Sequence, residues 1–138
     1  VDFKLAGDVI YIVGDTNENP KKNIELYRQL YIAVQKDLIT SAIAVGRGGV
    51  AVALAKSAIG GMTGIDVMYD NASLSTESQG RFVVSINPKN QKMFEETMKN
   101  CPHERIGKVT SSSLIKINNA TLDINKALAA YKLTFERY

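Results

Sequence analysis

The segment GVAVALAKSAI, residues 49–59, constrains the fold of this chain more than any other stretch. Nearly every position is small or apolar, and Lys56 is the one charge. A helix that is apolar on all sides is normally buried over most of its surface. Its alanines permit close approach to a neighbouring sheet, so the rest of the chain must supply such a layer. Gly60 and Gly61 follow and can provide the left-handed residue that ends a helix.

Strands for that layer lie on both sides of the helix in sequence. Residues 7–15, GDVIYIVGD, read as a buried strand that is β-branched and aromatic between two glycines. Residues 39–45 form a short apolar strand, residues 63–70 alternate like a half-exposed one, and residues 80–86, GRFVVSI, form another. Residues 105–109 and 114–117 look like two more, around a serine turn. Asn17 to Lys22 is a polar loop, and Asn71 to Gln79 is serine-rich and reads as loop.

Three further helices are predicted. Ile24, Tyr27, Leu30, Tyr31, Val34 and Leu38 recur at three- and four-residue spacing and make one apolar stripe. Asn87 or Asn90 can cap a helix through Lys99, with Phe94 and Met98 on one face. Leu122 to Tyr131 is the last helix, with Ala127, Leu128 and Tyr131 inward. Strands alternate with helices, yet some strands follow each other directly. That order predicts an α/β (α+β) chain with a mixed sheet covered by helices. A length of 138 residues fits one domain, which buries about two thirds of its unfolded surface.

Composition excludes several function classes. The net charge is +3 and the basic residues are scattered, with 7% aromatics and no tryptophan, which argues against nucleic-acid binding. Cys101 is the only cysteine, so no disulfide forms within the chain and a reducing, cytoplasmic setting fits. His103 is the only histidine, read as a polar residue in a loop before a strand; neither a zinc site nor a Cys–His pair has support. No apolar run reaches the ~18 residues of a membrane helix, and no secretory signal is visible. The chain begins at Val1 without methionine, as expected of a piece of a longer protein or a processed product.

Two clusters carry chemistry. Gly46-Arg47-Gly48-Gly49 sits at a strand-to-helix turn, where the first helical N–H groups lack partners and meet the positive end of the dipole. Glycines would let an anion approach those groups, and Arg47 would add a charged donor. The same glycines equally suit a sharp corner with Arg47 in solvent. The spacing is neither GxGxxG nor a P-loop. The second cluster, Thr76-Glu77-Ser78-Gln79-Gly80-Arg81, gathers a carboxylate, a hydroxyl, an amide and a guanidinium that suit a polar substrate, or a solvated turn between strands. Asp66 and Asp70 lack a third ligand for a metal and read as exposed strand positions.

GDVIYIVGDT, GGVAVALAKSAIGGMTGIDV, ESQGRFVVSINPKN and ERIGKVT, in that order, resemble the C-terminal domain of the aminoimidazole ribonucleotide synthetase superfamily. The likeness runs from about Asp2 to Tyr131 and is greatest to the phosphoribosylformylglycinamidine synthases. It implies a mixed sheet with helices on both faces, partly ferredoxin-like. It also implies a part in an ATP- and magnesium-dependent ligase of purine biosynthesis. Such an enzyme converts formylglycinamide ribonucleotide to its amidine with ammonia from glutamine. The implied partners are an N-terminal ATP-binding domain, a glutaminase domain or subunit, and the ribonucleotide. The chain alone would then be inactive, with no catalytic or metal-binding residue of its own. Gly48, Gly49, Glu77, Ser78, Gln79 and Arg81 are the residues expected to line a substrate face.

Two departures qualify the resemblance. The family's His-Asp-x-Ser-Asp/Glu-Gly-Gly turn reads Ile43-Ala44-Val45-Gly46-Arg47-Gly48-Gly49 here, so only a main-chain role can carry over. The polar loop at Asn17 to Lys22 is also short where relatives carry an insertion. Another superfamily member, such as aminoimidazole ribonucleotide or selenophosphate synthetase, or a non-catalytic scaffolding module, are the alternatives.

Overall fold

A computed structural model describes residues 1–16 and 19–133. Its strands are β1 (Val9–Val13), β2 (Ser41–Ala44), β3 (Gly64–Val67), β4 (Phe82–Ile86), β5 (His103–Thr110), β6 (Leu114–Ile117) and β7 (Ala120–Asp123). Its helices are α1 (Pro20–Gln35), α2 (Gly49–Gly61), α3 (Asn71–Leu74), α4 (Gln91–Met98) and α5 (Ile124–Leu133). The strands form one sheet in the order β2-β4-β1-β5-β3-β6-β7, in which only β3 and β6 pair in parallel. The units β1-α1-β2 and β4-α4-β5 interleave, so that β4 lies between β2 and β1 while β1 lies between β4 and β5. That interleaving is the ferredoxin-like part.

Alternation along β1 divides the core. Val9, Tyr11 and Val13 face the layer that holds Leu26 and Ala33 of α1 and Phe94 and Met98 of α4. Ile10 and Ile12 face the opposite layer, with Val50, Ala53, Leu54 and Ala58 of α2 and Ile124 and Ala127 of α5. Helices thus cover both faces, as the resemblance implies. Burying side chains such as Phe94 and Met98 stabilises by about 1.5–3 kcal/mol each. No helix among the described residues is long and apolar enough to cross a membrane.

Several expectations are corrected. On α1 the buried residues are Leu26 and Ala33, while Ile24, Tyr27, Tyr31 and Val34 are exposed. The stripe has the right period, but of it only Leu38 is buried, while Leu30 packs against the core and Tyr27 meets Phe82 edge-on. Helix α2 is less enclosed than its composition suggests: Val52 and Lys56 lie outward. The left-handed residue that ends it is Met62, at φ +50°, rather than Gly60 or Gly61. Gly61 is small for another reason. A Cβ there would lie 2.1 Å from the carbonyl oxygen of Phe3, where the N-terminal segment crosses the helix.

The 71–79 loop contains the single turn α3, capped by Asp70, whose carboxylate accepts from the Ser73 amide at 2.9 Å. The Ser73 hydroxyl, which also donates to Asp70 at 2.8 Å, and then the Ser73 amide hold the Asp70 carboxyl below the usual range. A metal-pair reading of Asp66 and Asp70 therefore loses a member to a cap. Leu122 belongs to the exposed edge strand β7, and α5 begins at Ile124, with Tyr131 exposed. Asn87, not Asn90, caps the helical segment after β4 through the Lys89 amide. His103 opens β5 instead of sitting in a loop. In the 17–22 loop, residues 17 and 18 lie outside the described residues, and Asn19 already caps α1.

Candidate functional site

The C-terminal ends of β1 and β2 and the N-terminal end of β4 meet at one edge of the sheet, and both chemistry-bearing clusters lie there. After β2, the Val45 amide donates to the Arg81 carbonyl at 2.8 Å, which brings the glycine turn beside the residues that enter β4. Gly48 and Gly49 then adopt left-handed φ values of +85° and +69°, and α2 starts.

The Gly48 amide donates to Glu77 Oε1 at 2.8 Å. The two clusters are therefore in direct contact, twenty-nine residues apart in sequence. Glu77 places a carboxylate at the positive end of α2, where Gly48 has no side chain to cap with. The Gly49 amide bonds the Gly46 carbonyl at 3.0 Å. Both amides expected to be bare are thus satisfied within the chain. A Cβ on Gly49 would lie 2.5 Å from the Leu74 carbonyl oxygen and 2.7 Å from the Ser75 carbonyl carbon. Gly49 is required by close main-chain approach, whatever else the turn does.

What remains open is a cleft of about 480 Å³ between Val45, Gly46 and Arg47 on one side and Glu77, Ser78 and Gln79 on the other. Arg47, Glu77 and Gln79 are exposed along it. Gly48 and Gly49, expected to line a substrate face, are not among its lining residues. Such an opening is the size of a small-ligand site.

Arg81 is only 1% exposed. Its Nε–H donates to Ser78 Oγ at 2.5 Å and its Nη2–H to the Thr76 carbonyl, so the guanidinium pins the Glu77–Gln79 corner from behind. It does not line the cleft with Glu77 and Gln79. It lines a neighbouring pocket of about 350 Å³, together with Thr16, Tyr69 and His103. The sequence reading missed that second pocket, since its walls come from four separated stretches.

Beneath that end of the sheet, Tyr11 donates its phenol hydrogen to Glu95 Oε1. Burial, then the neighbouring carboxylate, hold the Tyr11 phenol well above its usual range. The same bond holds the Glu95 carboxyl low. Cys101 is buried, and burial pushes its thiol up, which makes it a poor nucleophile.

The family profile described as "AIR synthase related protein, C-terminal domain" matches residues 10–118. The chain belongs to this family. Among solved structures, the AIR synthase related domain is similar to part of phosphoribosylformylglycinamidine synthase II from Thermotoga maritima. That match has 19% identity and a TM-score of 0.78 over 91% of this chain and 26% of that one. T. maritima PurL complexed with FGAR gives a TM-score of 0.82 at 16% identity over 91% and 28% of the two chains. T. maritima PurL complexed with ATP gives 0.77 at 19% identity over 91% and 26%. At these identities the likeness is one of fold, and the domain spans little more than a quarter of those enzymes.

Proposed function

We propose that this chain is the C-terminal domain of a phosphoribosylformylglycinamidine synthase. In that enzyme it forms one wall of the site where formylglycinamide ribonucleotide becomes its amidine. The contact between Gly48 and Glu77 carries the reading, because it joins two clusters picked from sequence around one open cleft. The ESQGRFVVSI segment and the fold shared with the Thermotoga enzyme support it.

The cleft has the donors and acceptors to bind and orient a polar ribonucleotide, with Arg47 for its charge and Gln79 for hydrogen bonds. Its hydroxyl and its carboxylate are engaged within the chain, Ser78 Oγ accepting from Arg81 and Glu77 Oε1 from the Gly48 amide. ATP, with magnesium, supplies the activation of the formamide oxygen on another domain, and a glutaminase supplies ammonia. This chain's part is then to position substrate, and alone it is inactive.

The test uses the complete enzyme that contains this chain. Gln79→Ala and Arg47→Ala should each raise KM for formylglycinamide ribonucleotide about tenfold, with kcat little changed. Unchanged KM in both variants would remove the cleft from the site.

A scaffolding role is the second reading. The observation that favours it is that the Gly48 and Gly49 amides are already bonded within the chain. It predicts that both variants leave KM, kcat and ligand affinity alone.

A further inference from the structure

The pocket of about 350 Å³ beside the cleft has an unusual floor. The Arg81 guanidinium is a cation only 1% exposed, and its protein partners are two neutral oxygens, Ser78 Oγ and the Thr76 carbonyl. Among the described residues no carboxylate forms an ion pair with it. The remainder of its donor fork has no acceptor among them either. A buried cation with no carboxylate at ion-pair distance is costly, and an oxyanion in the adjoining space offsets that cost.

The other walls suit such a group. Thr16 and Tyr69 bring hydroxyls. His103 Nδ1 lies 2.9 Å from the Cys101 carbonyl, which can only accept, so Nδ1 carries the hydrogen in that contact. Asp15 and Glu104 also line the pocket, and both are exposed, so they belong to its rim. Carboxylates there repel a bare anion but accept hydrogen bonds from hydroxyl groups.

We infer that this pocket binds the oxyanion of a small phosphorylated polyol, with its phosphate on Arg81 and its hydroxyls towards Glu104 at the rim. The site is separate from the cleft of the proposed function and stands without it. Its volume, at the lower end for ligand sites, favours a ligand smaller than a full nucleotide.

The test is a titration of the chain with inorganic phosphate and, separately, with glycerol 3-phosphate, observed by NMR at the His103 ring and the Arg81 guanidinium. His103 is the only histidine, so its ring signals need no assignment by mutation. Both probes should give saturable shifts at these two residues, and the ester should bind about threefold tighter because its hydroxyls reach the rim. Arg81→Met should weaken both by about tenfold or more. Glu104→Gln, at an exposed position that leaves the fold intact, should tighten inorganic phosphate and narrow the ester's advantage. An unmoved His103 ring, equal affinities in the Arg81→Met variant, or no effect of Glu104→Gln on either probe would each overturn the assignment.

Discussion

Asp8 and Arg81 are each 1% exposed, and they lie at opposite ends of the paired strands β1 and β4. Their surroundings differ. Asp8 Oδ2 accepts from Thr40 Oγ1 at 2.7 Å, Thr40 shares a hydrogen bond with Ser85 at 2.8 Å, and Ser85 shares one with Ser41 at 2.7 Å. That chain of hydroxyls stays within the sheet and ties β1, β4 and β2 together. Arg81 bonds its own loop and then faces open space in a pocket. One buried charge is built into the fold. The other is only half accommodated by it, and that marks the end of the sheet where a ligand belongs.

The largest expected effect tests whether the open end is also structural. Gly49→Val sets a branched side chain at φ +69° against the main chain of residues 74 and 75. It should destabilise by roughly 3 kcal/mol or more, seen as loss of a cooperative melt. A near-normal melting temperature would mean that the turn has room to spare.

The next test compares the two charges directly. Asp8→Ala should cost about 2–3 kcal/mol in denaturant unfolding, because it removes the acceptor of the Thr40 hydroxyl that heads the relay to Ser85 and Ser41. Arg81→Met should cost less, about 1 kcal/mol, because the Ser78 hydroxyl and Thr76 carbonyl it releases are only half-buried and can reach water. The comparison fails if the order is reversed.

The smallest effect lies under the open end. The Tyr11 phenol is held above its ordinary pKa of 10.0. The folded state therefore keeps the proton more tightly, and Tyr11 stabilises fully below about pH 10, with the contribution lost as pH rises towards the folded value. Between pH 9 and pH 11 the melting temperature should fall by several degrees more in wild type than in Tyr11→Phe. Equal falls would show that the Tyr11–Glu95 bond carries no such linkage.

Much of this architecture was legible in the sequence, for reasons that particular residues show. The β1 segment reads correctly because five consecutive residues are buried on a two-sided sheet. The α2 segment reads correctly because its glycine start and small residues suit a helix close to a sheet. Helix α1 has the expected period but a different inner face, since a stripe of Ile24, Tyr27, Tyr31 and Val34 does not reveal which neighbour it meets. Strand β7 escaped because it is a short exposed edge, fixed by pairing with β6 through the Asn118 turn rather than by its own pattern.

The cleft was partly legible. The two clusters were chosen from residue types, and their contact through Glu77 is tertiary. Spacing could not show that Glu77 itself occupies the helix end, nor that Arg81 turns away from the cleft. The second pocket left no local signal, because Thr16, Tyr69, Arg81 and His103 converge only when four elements end at the same edge.

The most direct measurement is the thermal shift that inorganic phosphate gives to wild type, Arg81→Met and Asp8→Asn side by side. A ligand at about one hundred times its dissociation constant stabilises by about 2.7 kcal/mol. Wild type and Asp8→Asn should therefore gain several degrees and Arg81→Met at most about half as much. Equal gains in all three, or no gain in any, would contradict the claim that the incompletely matched charge marks a binding site.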